Sequence, residues 1–91
     1  MAEPVLLAPK LDVAAASDLL SALRENKDAE LVVDMSQVKM LGALCLQVLL
    51  SAAITARDEN RTMTITNVSE RVIDQMRLMG MTPETIARGN A

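Results

Sequence analysis

Short apolar runs of strand length alternate along this chain with longer segments of helical periodicity, and this alternation is the strongest constraint on its fold. The strand candidates are "PVLLA" at 4–8, "LVVDM" at 31–35 and "TMTIT" at 62–66. Their connections are short, and crossovers between parallel strands are almost always right-handed. The order βαβαβα therefore predicts an α/β fold, with a small mixed, mostly parallel sheet of about four strands and three or so helices packed against it. The 91 residues are enough for one core, so we expect a single domain over 1–91.

The strand candidates differ in the burial that they predict. Pro4 is tolerated at the start of the first strand. The run "LVVDM" is continuously apolar up to its acid, which is typical of a strand buried on both faces. By contrast, "TMTIT" alternates strictly and predicts a half-buried strand with Met63 and Ile65 on one face.

The segments between the strands carry helix end signals. Asp12 is predicted to be the N-cap of a helix through about Arg24, and Ser69 that of a third helix that ends before Gly80. The "TPETIARG" segment predicts a short strand at about 85–87 or a frayed tail. The apolar residues expected to face the core are Ala16, Leu19, Leu20 and Leu23 in the first helix and Val72, Ile73, Met76 and Met79 in the third.

The second helix, from about Ala43 to Arg57, has two distinct sides. Leu44 projects along its polar side and is expected to be exposed where the chain passes from strand to helix. Loops in that position commonly carry function, so Leu44 is a candidate contact. The apolar side holds Leu46, Leu49, Leu50 and Ala53, and the polar side holds Gln47, Ser51, Thr55 and Asp58.

Composition argues against several classes of partner. Aromatic residues are absent, which removes the usual platforms for stacking bases and for caging methylated ligands. The net charge of −3 and the pI of about 4.8 argue against nucleic acid and anionic lipid as partners. No apolar run approaches the roughly 18 residues of a membrane span, and the N-terminus lacks the order of a signal peptide. We therefore expect a cytoplasmic protein without membrane insertion.

The residue types also argue against catalysis. Without histidine there is no Ser-His-Asp set, no glycine-rich phosphate loop is present, and the carboxylates are not paired on one predicted face. A thiol enzyme built on Cys45 would lack its base. We interpret Cys45 as a small buried residue at a helix start, with a reactive thiol as the alternative, because a helix N-terminus lowers thiol pKa values. We expect no enzyme activity, no cofactor and no metal.

Two stretches of the chain follow a known family pattern, "LVVDMSQVKMLGALCLQVLLSAA" and "MTITNVSERVIDQMRLMGM". Together they resemble the STAS domain, the fold of bacterial anti-sigma factor antagonists. The family pattern runs from an apolar strand through Asp-x-Ser and a valine to a loop that opens a leucine-rich helix, and a Ser-containing loop and a glycine follow later. The resemblance covers about residues 11–88. The matching positions are Asp34, Ser36, Val38, Leu46, Leu49, Leu50, Ser69, Val72 and Gly80.

The loop that carries the phosphorylation switch of the family differs in this chain. The family's Asp-Ser-Ser-Gly falls on Gly42, Ala43, Leu44 and Cys45, which puts Leu44 at the phosphoacceptor position. In the family, a kinase partner phosphorylates that hydroxyl and the added charge breaks the complex. Leucine has no hydroxyl, so the resemblance implies a partner-binding module whose phosphoswitch is absent. Ser36 is interpreted as a loop hydroxyl rather than a displaced phosphosite.

The resemblance implies a docking surface and two classes of protein partner. The first class is a kinase-like anti-sigma factor or another component of a chemotaxis or sigma pathway. The alternative is a role as an accessory subunit of a lipid-transporting ATP-binding-cassette complex, which a surface without a switch would suit. Three points remain open at this stage. They are whether Leu44 is instead buried under the loop, whether the alignment across 41–45 is shifted by one residue, and what the oligomeric state is. The predicted partner-binding residues are Asp34, Ser36, Gly42, Ala43, Leu44, Gln47 and Ser51.

Overall fold

The fold comes from a computed structural model that describes residues 3–89. The strands β1, β3 and β5 form one sheet in the order β1-β3-β5, β2 and β4 form a second sheet, and all pairings within 3–89 are parallel. The predicted α/β class is confirmed, with the strands divided between two sheets. The elements are β1 (Val5–Leu6), β2 (Lys10–Leu11), a 3-10 turn (Val13–Ala15), α1 (Ala16–Glu25), β3 (Glu30–Asp34), β4 (Met40–Leu41), α2 (Ala43–Asp58), β5 (Thr62–Thr66), α3 (Glu70–Leu78) and α4 (Pro83–Ala87).

The three-stranded sheet is covered on one face. Leu31 is paired with Met63 in register and both are buried, and together with Val33 they join the core cluster. On the opposite face Val32 is only half-buried and its register partner Thr64 is exposed. The prediction that 31–35 is buried on both faces is therefore wrong. Apolar residues in succession do not prove two-sided burial, because a valine tolerates a partly exposed sheet face well.

The small sheet of β2 and β4 places the segments that lead into α1 and α2 side by side. Lys10 pairs with Met40 and Leu11 with Leu41. The Gly42 N–H then donates to the Leu11 carbonyl at 2.9 Å, which continues the pairing by one residue. Since parallel strands end at the same edge, the segments that follow β2 and β4 leave the sheet together.

The first two helices largely follow the sequence prediction. Asp12 does act as a cap, but its carboxylate accepts the Ala15 N–H at 3.1 Å and caps the 3-10 turn, so α1 itself begins later. Within the predicted apolar faces, Leu20 and Leu50 are only half-buried. The buried members are Ala16, Leu19 and Leu23 in α1 and Leu46, Leu49 and Ala53 in α2.

The third helix has the predicted ends. Ser69 Oγ accepts the Val72 N–H at 3.3 Å, and Gly80 follows the helix with a φ of +76°. Positive φ is a conformation that glycine adopts at little cost. Both end signals are confirmed, and Val72 and Met76 carry the buried face while Ile73 and Met79 are half-buried.

The fourth helix replaces the predicted strand or frayed tail at 85–87, and that prediction is wrong. Thr82 Oγ1 accepts the Thr85 N–H at 3.1 Å, and Thr85 Oγ1 accepts the Thr82 N–H at 2.9 Å. This reciprocal cap, with Pro83 in the first turn, starts a helix of one turn. The helix packs against α2 and β5 and buries Ile86 completely.

Candidate functional site

The predicted docking loop lies where the segments after β2 and β4 meet. The Cys45 thiol donates to the Asp12 carbonyl at 3.3 Å, which joins the first turn of α2 to the residue that caps the 3-10 turn. Gly42, immediately before α2, approaches the backbone of β2 so closely that a Cβ on it would lie 3.2 Å from the Leu11 carbonyl oxygen. Glycine therefore permits the close contact that positions this loop.

An exposed apolar surface occupies this edge. Leu44 is 47% exposed and Val13 is 75% exposed, and their neighbours Ala14 and Ala43 are also exposed. We call Val13, Ala14, Ala43 and Leu44 the apolar tip. The exposure expected of Leu44 is confirmed, and the alternative in which it fills the core is wrong. Val13 was not predicted, because only the pairing of β2 with β4 brings it to this edge.

The outer side of α2 continues from the apolar tip. Gln47, Ser51, Thr55 and Asp58 are all exposed, as the helical spacing predicted. We call Leu44, Gln47, Ser51 and Thr55 the outer stripe of α2. The stripe is apolar at its start and polar along the rest, so it offers a partner both a hydrophobic contact and hydrogen-bonding groups.

Asp34 and Ser36 form a second group with Asn67. Asp34 Oδ1 accepts the Ser36 N–H at 2.8 Å and the Asn67 side-chain amide at 3.3 Å. These hydrogen bonds lower the pKa of Asp34, the backbone bond from Ser36 having the largest effect. Within 3–89 no side-chain hydrogen bond links this group to the apolar tip. Asp34 thus organises the loops after β3 and β5.

Cys45 is buried at the start of α2, as predicted from the sequence. The residue has no exposed surface, and burial raises the pKa of its thiol, with a further rise from the nearby Asp12 carboxylate. A raised thiol pKa opposes formation of the reactive thiolate. The geometry therefore favours a packing role.

No group of three or more potential metal-binding side chains is found within 3–89. In that range no helix is long and apolar enough to cross a membrane.

A family model described as "Mlab, STAS domain" matches residues 3–85, which is most of the chain. The chain belongs to the STAS domain family. Searches of curated proteins and of solved structures find no significant match.

Membership defines the general role of this STAS domain. STAS domains are regulatory and binding modules that generally mediate contacts between proteins, and they are generally not enzymes. In this STAS domain the loop that opens α2 carries the apolar tip. The match extends the resemblance toward the N-terminus, because it includes β1 as well as the motifs from β2 onward.

Proposed function

We propose that this STAS domain is a non-enzymatic binding module that docks a protein partner through the apolar tip and the outer stripe of α2. The exposure of Leu44 carries the proposal, since this side chain stands where the family resemblance places the phosphoacceptor. Complete burial of a leucine contributes about 1.5–3 kcal/mol. Val13 adds a second aliphatic side chain at the same edge, so the tip can supply a compact hydrophobic contact.

The same residue makes the docking surface permanent. A leucine cannot accept a phosphoryl group, and the charge that dissociates phosphorylated relatives cannot form at this position. Association is then controlled by the amounts of the two proteins or by the partner. Asp34 and Ser36 support the adjacent loops, while Gly42 allows the close approach to β2 that holds the tip in place.

Two partner classes fit a permanent surface. The resemblance to anti-sigma factor antagonists supports a kinase-like anti-sigma factor or a chemotaxis or sigma-pathway component. The second candidate is an accessory subunit of a lipid-transporting ATP-binding-cassette complex. It is favoured by the missing hydroxyl at Leu44 and by a matching family described as Mlab rather than as anti-sigma factor antagonists. A lasting subunit contact needs no phosphoswitch.

Affinity capture from a native extract tests the docking surface. Tagged wild type is compared with Leu44→Asp, and bound proteins and phosphorylated bait peptides are identified by mass spectrometry. Leu78→Asp is the matched control, because Leu78 is an 88% exposed leucine at the end of α3. We expect a partner that Leu78→Asp retains and Leu44→Asp loses, without phosphate on the bait.

The outcomes also separate the partner classes. A kinase-like or chemotaxis protein lost with Leu44→Asp supports the first class, and an ATPase in fixed stoichiometry supports the second. A partner captured equally well by Leu44→Asp would place the interface elsewhere. Phosphate on Ser36 or Ser51 would show that a switch exists at another position.

A further inference from the structure

A groove lies between α1 and α2 at the end of the outer stripe that is remote from Leu44. Its volume is about 170 Å³, and leucines of α1 and β3 line it together with Ser51 and Thr55 of the stripe. Leu20, the half-buried residue of α1, belongs to this lining. The groove therefore combines apolar surface with two hydroxyl groups.

The charged side chains of the groove are of two kinds. Arg61 is already engaged, because its guanidinium donates to Glu59 Oε1 at 3.0 Å, to the Asn26 carbonyl at 2.9 Å and to the Asp28 carbonyl at 2.8 Å. Arg24 and Lys27 are exposed and form no side-chain hydrogen bond or salt bridge with any residue in 3–89.

Charge distinguishes the groove from the rest of the molecule. Three cationic side chains and one carboxylate line it, which gives a formal charge of +2 on a chain whose net charge is −3. Since Arg61 and Glu59 neutralise each other, the excess resides on Arg24 and Lys27. Their attraction is available to an anionic group from outside the chain.

The size of the groove selects the kind of anion. Pockets that enclose small organic ligands have volumes of about 300–1,000 Å³, whereas this groove has about 170 Å³. It has room for one or two side chains. A carboxylate on a short apolar stem would satisfy the cations and hydroxyls while its methylene groups contact the leucines.

We infer that the groove receives an acidic side chain of the protein partner, an inference that rests on the proposed function. Ser51 and Thr55 lie seven and eleven residues after Leu44, or about 10 and 16 Å along α2. If the partner segment is helical, its acidic residue lies about seven to eleven positions from the residue that contacts the tip. In an extended segment the separation is about three to five residues.

A titration followed by NMR tests the groove directly, with N-acetyl-Leu-Glu-Glu-Leu-amide as the probe. In low salt we expect saturable shifts of the Arg24, Ser51 and Thr55 amide resonances, and we expect added salt to weaken the binding. The uncharged peptide N-acetyl-Leu-Gln-Gln-Leu-amide should leave these resonances unchanged. Inorganic phosphate is titrated separately.

Charge reversal assigns the binding to its residues. Arg24→Glu with Lys27→Glu should weaken binding of the acidic peptide at least about tenfold. The matched control is Lys39→Glu with Arg71→Glu, because both of those side chains are exposed and lie outside the groove, and it should bind as wild type does. Arg24→Gln with Lys27→Gln repeats the test if the reversed variant fails to fold.

Several results would overturn the inference. The first is equal affinity for the acidic and the uncharged peptide. The second is an equal loss of affinity for the acidic peptide in the groove variant and the control variant. The third is that phosphate alone gives the same shifts and affinity, which would define a general anion site. A captured partner that no longer binds Leu44→Asp but still binds the Arg24→Glu, Lys27→Glu variant also overturns the inference. That result leaves the proposed function intact. A partner that ignores Leu44→Asp contradicts the proposed function, while the peptide titration still decides the inference.

Discussion

At the scale of single residues, Asp34 shows how a small side chain organises the loops of the parallel sheet. Its carboxylate accepts hydrogen bonds from Ser36 and Asn67, on the loops that follow two neighbouring strands. Asn67 itself has a φ of +59°, a left-handed conformation that asparagine tolerates better than most residues. One ionised oxygen thus fixes two turns beside each other.

This arrangement predicts a pH dependence of stability. Hydrogen bonds lower the pKa of folded Asp34 below its ordinary value of 3.8, so the carboxylate stabilises the fold above that pH. The contribution is lost as the pH falls through the lower, folded pKa. Asp34→Asn keeps an acceptor oxygen for Ser36 but cannot titrate. We expect its urea midpoint to fall less than that of wild type between about pH 5 and pH 2.

The control for this prediction is Glu30→Gln, at the exposed start of the same strand. Its carboxylate accepts no side-chain hydrogen bond from residues 3–89, so its acid profile should follow that of wild type. Equal losses in wild type and Asp34→Asn would show that the hydrogen bonds of Asp34 do not stabilise the ionised form.

At the scale of elements, α4 depends on its cap. A helix of five residues cannot form by itself, because the cost of nucleation exceeds the gain from so few backbone hydrogen bonds. The reciprocal bonds between Thr82 and Thr85 and the burial of Ile86 offset that cost.

We predict that Thr82→Ala reduces the free energy of unfolding by about 0.5–2 kcal/mol, because it removes the oxygen that accepts the Thr85 N–H. Thr82→Ser keeps that oxygen and should remain close to wild type. Urea denaturation followed by circular dichroism measures the change, and faster hydrogen exchange at Ile86 should localise it to α4. Equal stability of the alanine and serine variants would contradict a capping role.

The faces of an element are predictable from the sequence where the element is long enough to show a period. The α2 segment spans 16 residues, so its buried side and its outer stripe with Leu44 are visible before folding. Strands β2 and β4 have two residues each and show no period, and α4 has only one turn. The pairing of β2 with β4 brings Val13 to the same sheet edge as Leu44, and this long-range pairing has no local signal.

The groove was hidden for the same reason. Arg24 and Lys27 follow one another closely in the sequence, but Ser51, Thr55 and Arg61 join them only through the packing of α1 beside α2. A sequence pattern within one helix can identify an exposed stripe. It cannot identify the charges that the neighbouring helix places next to that stripe.

At the scale of the whole molecule, a single hydrophobic cluster connects both sheets. It extends along the chain from Leu7 to Ile86 and includes Leu11 and Leu41 of the small sheet with Leu31 and Met63 of the large one. Within residues 3–89 the four α-helices and the strands β2 to β5 contribute buried residues to this cluster, and Val5 of β1 packs against it. We therefore expect loss of one element to weaken the others and the chain to unfold cooperatively. We therefore expect the start of α2, which carries the tip, to open only when the core unfolds.

Cys45 can report whether the start of α2 opens only on global unfolding. This is useful because the chain has no aromatic residue to report unfolding by fluorescence. The buried thiol lies at the first turn of α2, directly below the tip, and its pKa is raised by burial. We predict that an aromatic disulfide reagent labels the native chain about a thousandfold or more slowly than the chain in urea, because access requires unfolding. The labelling rate should rise with urea in parallel with the loss of circular dichroism, and Cys45→Ser supplies the blank. Rapid labelling independent of urea would mean that the start of α2 opens locally. A tip that opens in this way would have to become ordered on binding, and the lost conformational entropy would weaken its affinity for the partner.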